Sequence, residues 1–267
     1  MSTHKHTPLL EEQKRHLFCF FLCIVSCLFS CRGKKTISET VDNSNVVVAT
    51  SSWTAAYAQA AGAEKIVVLA PFDMPHPSEY ELRPGDILKL MDASVIIYAG
   101  YEVMTERMKK GLELPTEQLL QIDTDYSFKS MEKSIMAIAA KLDTENVARE
   151  NLSEIRCLFD EGKKFFEYKG MSGLPVAVHR FHVSLIRELG FIPAIIFGPA
   201  SPEAQEIIAV SKTDVLLIID NYHNPVGQPF KEVLKNVRYR QLLNFPGQKG
   251  TKTLTDVIRN NMSQLSE

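Results

Sequence analysis

The sequence predicts an α/β protein of two parallel-sheet lobes bridged by one long rigid helix, with a ligand cleft between the lobes. Three observations carry this reading. Short apolar runs rich in Val and Ile alternate with amphipathic helical segments, the pattern of parallel α/β sheets. One uninterrupted helical pattern, from about Thr144 to Tyr168, divides the chain. At 1.5 Å per residue it makes a rod of about 37 Å, enough to span a domain. Beyond it the alternation of strand and helix begins again.

In chain order, Val46-Val47-Val48-Ala49-Thr50 reads as a buried strand, and Ser51-Ser52 as the cap of a helix from Trp53 to about Ala61 that Gly62 stops. Ile66–Leu69 is a second strand, Ile87–Met91 belongs to a short helix, and Ser94–Tyr98 is a third strand. A helix from Val103 to about Gly111, a short strand over Leu119–Ile122 and a helix over Phe128–Leu142 follow. The last has Met131, Ile135, Ile138, Ala139 and Leu142 on one face. In the dividing helix Ala148, Leu152, Ile155, Phe159 and Phe166 keep helical spacing. The second half reads as strands at Leu174–Val178, Ile192–Phe197, Asp214–Ile219 and Tyr239–Leu243. Its helices are Phe181–Leu189, one started by Ser201-Pro202-Glu203 with Ser201 as cap, Pro229–Asn236 and Thr253–Leu265.

The length suits two modest domains, on a prior of roughly 150 residues each. A net charge of −2 gives no support for a nucleic-acid partner. Of the five cysteines, Cys19, Cys23, Cys27 and Cys31 crowd the N-terminus and only Cys157 lies beyond, which excludes a disulfide framework in the body. Lys14, Arg15 and His16 precede an apolar run from Leu17 to Phe29, too short for a comfortable transmembrane helix and shaped like a secretory signal. Its end, Leu28-Phe29-Ser30-Cys31, resembles a bacterial lipobox in which Cys31 is lipidated; the alternative is an uncleaved helical anchor. Residues 32–45 are polar, as in a flexible tether. The expected organisation is a signal peptide with lipobox over 1–31 and a tether over 32–45. An N-terminal lobe over 46–143, a bridging helix over 144–170 and a C-terminal lobe over 171–267 follow.

The candidate ligands share one topological address. His76, held between Pro75 and Pro77, His179, and the turn carrying Asp220 and His223 all follow carboxyl ends of predicted strands, where open α/β sheets bind ligands. Zn²⁺ favours imidazole and carboxylate ligands, and Mn²⁺ accepts more oxygens. Each residue has a plainer alternative. His76 could be a surface histidine in a Pro-rich turn, His179 a buried backbone-bonded histidine, Asp220 a turn-forming carboxylate, His223 a loop residue, and His182 a polar residue on a helix surface. No Gly-rich phosphate loop, Gly-x-Ser-x-Gly elbow or His-Glu-x-x-His motif occurs.

The run from Pro75 through Ile87, followed by Leu90–Ala99, resembles the first-ligand motif of the periplasmic or lipoprotein solute-binding components of zinc and manganese ABC importers. Val176-Ala177-Val178-His179 resembles their third-ligand segment, and Thr253-Leu254 through Asn260-Asn261 their closing helix. The resemblance implies a lipid-anchored receptor at the periplasmic or cell-surface side. It would capture a divalent metal, zinc in preference to manganese, for an ABC permease and perform no chemistry. Two departures stand out. Asp123-Thr124-Asp125-Tyr126-Ser127-Phe128 has no histidine where the family places its second ligand, and Asn244 stands where an acid is frequent. Asp123, Asp125, Asp220 or His223 are the candidates to compensate. The other expectations are a degenerate site of the same fold for another metal or solute, a surface adhesion lipoprotein, and, as the remotest, a zinc enzyme with Glu79 or Glu81 as base.

Overall fold

The computed structural model describes residues 46–267; the signal segment, Cys31 and the tether lie outside the described residues. The first sheet is built from β1 (Val46–Ala49), β2 (Lys65–Val68), β3 (Val95–Tyr98) and β4 (Leu119–Gln121), all parallel, in the order β2-β1-β3-β4. Helices α1 (Ser52–Ala60), α2 (Pro84–Met91), α3 (Met104–Gly111) and α4 (Phe128–Leu142) accompany it. Helix α5 (Glu145–Tyr168) then leads to β5 (Pro175–His179), β6 (Ile192–Phe197), β7 (Leu217–Asn221) and β8 (Arg238–Leu242), again all parallel, in the order β6-β5-β7-β8. Their helices are α6 (Val183–Glu188), α7 (Ala204–Ser211), α8 (Gln228–Val233) and α9 (Leu254–Ser266).

The two sheets therefore repeat one topology. In each, the strand order reverses beside the first strand, between β1 and β3 and between β5 and β7, and a crevice opens at the carboxyl ends there. Alternate residues of a strand face opposite sides of its sheet. Val47, Val95 and Ile97 of the first sheet and Val176, Val178, Leu217 and Ile219 of the second join one continuous core with α5. Their neighbours Val48 and Ile96 pack outward with Leu90 of α2 and Met104 and Met108 of α3; Ala177 and Ile218 pack outward with Val210 of α7 and Phe230 of α8. The buried stripe of α5, from Ala148 through Leu152, Ile155, Phe159 and Gly162 to Phe166, is the spine of the shared core. At 24 residues this helix is about 36 Å long.

The element ends follow local chemistry. Ser51 caps α1: its hydroxyl accepts the Thr54 N–H at 3.3 Å, and the Thr54 hydroxyl accepts the Ser51 N–H at 3.0 Å. Thr253 caps α9 in the same reciprocal way with Asp256. Two expectations are corrected here. Ser201 is not a cap: α7 begins at Ala204 with extended Glu203 before it, whose N–H bonds the Glu206 carboxylate at 2.8 Å. The segment after β5 is not one helix: a 3₁₀ turn, Arg180–His182, precedes α6.

Candidate metal-binding cleft

The carboxyl ends of both sheets line one cavity of about 700 Å³, with His76, Glu79 and Glu102 on the first lobe's wall and Asn221, His223 and Asn244 on the second's. His76 leads into a 3₁₀ turn, Pro77–Glu79, whose Pro77 is buried and whose Ser78 carbonyl accepts the Val103 N–H at 2.9 Å. The loop is thus fastened to the start of α3 while His76 itself is exposed.

Glu102, at the end of β3, is buried and fully engaged. Its oxygens accept the Thr50 hydroxyl at 2.6 Å, the Ala99 and Gly100 N–H groups at 2.9 and 2.6 Å, and the Thr105 hydroxyl at 3.3 Å. It closes the crevice between β1 and β3 rather than offering a spare oxygen. Asp220 does the equivalent at the end of β7. It accepts the Asn221 N–H at 2.8 Å, the Gly227 N–H at 2.7 Å and the Tyr239 hydroxyl at 2.5 Å, and it does not line the cavity.

His223 is the best-held imidazole of the cleft. Its Nδ1 lies 2.7 Å from Asn244 Oδ1, and its ring stacks on Phe245 at 3.8 Å between centroids and 23° between planes. With Asn244 presenting a carbonyl oxygen, the proton sits on Nδ1 and Nε2 keeps its lone pair. This is the arrangement by which an outer partner orients a metal-ligating histidine. His223 Nε2 has no protein partner. Burial, partly opposed by the Asn244 bond, pushes its pKa down to about 4, so the ring is neutral at physiological pH.

His179 and His182 lie deeper. Both are fully buried and neither lines the cavity. His179 Nδ1 accepts the Phe181 N–H at 3.3 Å, which leaves the proton of the neutral ring on Nε2, without a partner and against Gly198. Gly198 has φ +75°, and a Cβ there would collide with that imidazole. His182 packs 6.3 Å from His179 between ring centroids and faces the Leu242 carbonyl and the Asn221 side chain. Its expected place on a helix surface is corrected: the 3₁₀ turn directs it inward. Burial depresses His179 to about 4 and His182 to about 3. Among the described residues no group of three His, Cys, Asp or Glu side chains stands ready to hold a metal ion.

The other candidates serve structure. Asp125 accepts the Ser127 N–H at 2.6 Å and the Ser184 hydroxyl at 2.7 Å, and Asp123 pairs with Lys133 at 3.4 Å. Sequence reasoning missed Trp53, which heads α1 just beyond β1 and lines the cleft. Trp53 and Phe245 join the first lobe to the second: their rings lie 5.9 Å apart, and Tyr126 stacks on Trp53's other side at 5.9 Å. The turn after β8 fastens the lobes further. Ser52 donates to the Pro246 carbonyl at 2.7 Å, Gln248 donates to the Asp73 carbonyl at 2.7 Å, and Gly247, at φ +121°, lies against the Phe72 carbonyl.

No protein-family model and no curated protein matches the chain. Solved structures do. The SBP FpvC from Pseudomonas aeruginosa in complex with Mn²⁺ is 19% identical, covering 83% of this chain and 97% of its own, with a TM-score of 0.64. The Mn-bound periplasmic metal binding protein from Candidatus Liberibacter asiaticus is 19% identical, covering 83% and 98%, at 0.61. FpvC with Ni²⁺ is 18% identical, covering 83% and 95%, also at 0.61. This chain shares the fold of these solved structures.

Proposed function

We propose that this protein is an extracytoplasmic receptor that captures a divalent transition metal between its lobes and passes it to an ABC importer permease. The observation that carries the reading is His223: a neutral imidazole from one lobe, with Nε2 free and Nδ1 held by Asn244, facing the cavity that His76 enters from the other. The fold supports it, since its solved neighbours are described with bound Mn, Ni or Cd. His76 and His223 form the proposed ligand pair. His179 and Asp220 are engaged elsewhere and support the wall behind the site. Two imidazoles beside a single unengaged carboxylate, Glu79, favour a borderline metal such as zinc over manganese, which prefers more oxygen ligands. The proposal includes a signal segment over residues 1–31, lipid attachment at Cys31 and a tether over 32–45, which put the receptor at the outer face of a membrane. It makes the protein a binder rather than an enzyme.

Calorimetry on metal-free protein tests it. One Zn²⁺ should bind per chain, and His76→Ala with His223→Ala should weaken binding at least 100-fold. Wild-type affinity in the double variant would sink the site.

A further inference from the structure

We infer that the cargo is a divalent metal already held by a small chelator of the amino-acid class, a monoanion when bound, rather than a bare ion. This rests on the metal-receptor reading above. The donor count is the first reason. The cleft offers the His76 and His223 imidazoles and the exposed Glu79 carboxylate, but the Glu102 oxygens receive four donors and Asn244 Oδ1 is taken by His223. A four- to six-coordinate ion bound by all three still keeps about one to three positions that the protein does not fill.

Space is the second reason. The cavity of about 700 Å³ falls within the range of small-molecule pockets, roughly 300–1,000 Å³. Six water ligands at roughly 30 Å³ each would leave most of it unused. The walls are the third. Tyr101 and Phe181 line the cavity and are 57% and 43% exposed, flat apolar faces of little use to a hydrated ion and well suited to an organic ligand. Trp53, also in the wall, is buried with its indole N–H unpartnered. Its indole ring adds a third aromatic face to the cavity.

Charge selects the class. The described lining residues include Glu79 and Glu102 and no Lys or Arg, so an anionic polycarboxylate chelate would be repelled, whereas a divalent ion held by a monoanionic N,O-chelator carries no net negative charge and is tolerated.

Trp53 is the chain's single tryptophan, so its fluorescence reports the cleft directly. Full-length metal-free protein is titrated with Ni²⁺, with L-histidine, with Ni²⁺ premixed with L-histidine, and with Ni²⁺ premixed with citrate. The nickel–histidine complex should bind at least tenfold more tightly than Ni²⁺ alone, and nickel citrate more weakly than either. If Ni²⁺ alone binds as tightly and L-histidine merely competes for it, the chelate inference falls while the receptor reading stands. Binding of no nickel form overturns the inference, and the receptor reading falls with it only if Zn²⁺ also fails to bind in the calorimetry above. Unchanged nickel–histidine affinity in the His76→Ala, His223→Ala variant also overturns the inference.

Discussion

His76 and His223 face one cavity from two lobes, and their surroundings differ. His76 is exposed on a loop that its prolines and the Ser78–Val103 bond hold in place. His223 is buried, stacked on Phe245 and hydrogen-bonded to Asn244, and two further buried histidines stand behind it. The first wall keeps its buried acid, Glu102, saturated and its imidazole in solvent. The second keeps three imidazoles neutral in the interior. Removing a ligand should therefore cost affinity alone on one side, and affinity together with stability on the other.

Acid should expose the difference most strongly. The folded protein holds His179, His182 and His223 at pKa values of about 4, 3 and 4, below their ordinary 6.5. Between these values the unfolded chain binds more protons, so stability is full above pH 6.5 and declines as pH falls toward 4. Urea denaturation at pH 7 and pH 4.5 should show a loss on the order of several kcal/mol, and His182→Leu should reduce it. Equal stability at the two pH values would mean that the second wall is not held neutral.

His223→Ala should come next, lowering metal affinity and costing about 2–3 kcal/mol of stability through the cavity and the stranded Asn244. His76→Ala should lower affinity with stability within about 0.5 kcal/mol, as for an exposed residue. Paired urea melts and calorimetry separate the two, and equal stability losses would erase the contrast. Asp220→Asn, which disturbs the Tyr239 and Gly227 bonds, should cost about 1–3 kcal/mol while leaving metal affinity within about twofold. Asn244→Ala strands the buried His223 Nδ1–H and should cost about 1–3 kcal/mol of stability. It frees the His223 ring and should weaken metal binding about tenfold, in line with the loss of an outer-sphere partner.

Much of the scaffold was legible in the chain because its signals are local. The period of Phe128–Leu142 and the β-branched run at Val46 need no distant partner to be read, and α4 falls over the residues its periodicity predicts. The site was less legible because its chemistry is settled by contacts far apart in sequence. The bond that fixes the His223 tautomer comes from Asn244, 21 residues on. Asp220 has the composition of a ligand, and only Tyr239 and Gly227 reveal that its oxygens are engaged. His182 shows a further limit: it reads as a polar residue on a helix surface, whereas the 3₁₀ turn buries it. Trp53 left one faint signal, its place at the first residues after β1.

The turn from Asn244 to Gln248 has a mechanical consequence. One end grips His223 through Asn244 and Phe245. The other is pinned to the first lobe by the Ser52–Pro246 and Gln248–Asp73 bonds, the latter three residues before His76. The two imidazoles are therefore mounted on a single frame, and the gap between their nitrogens is a preset bite. An ion or complex whose nitrogen-to-nitrogen span matches that bite binds without moving either lobe; a mismatched one must stretch the frame. For the proposed site, this frame would discriminate by size, apart from the identity of the donor atoms.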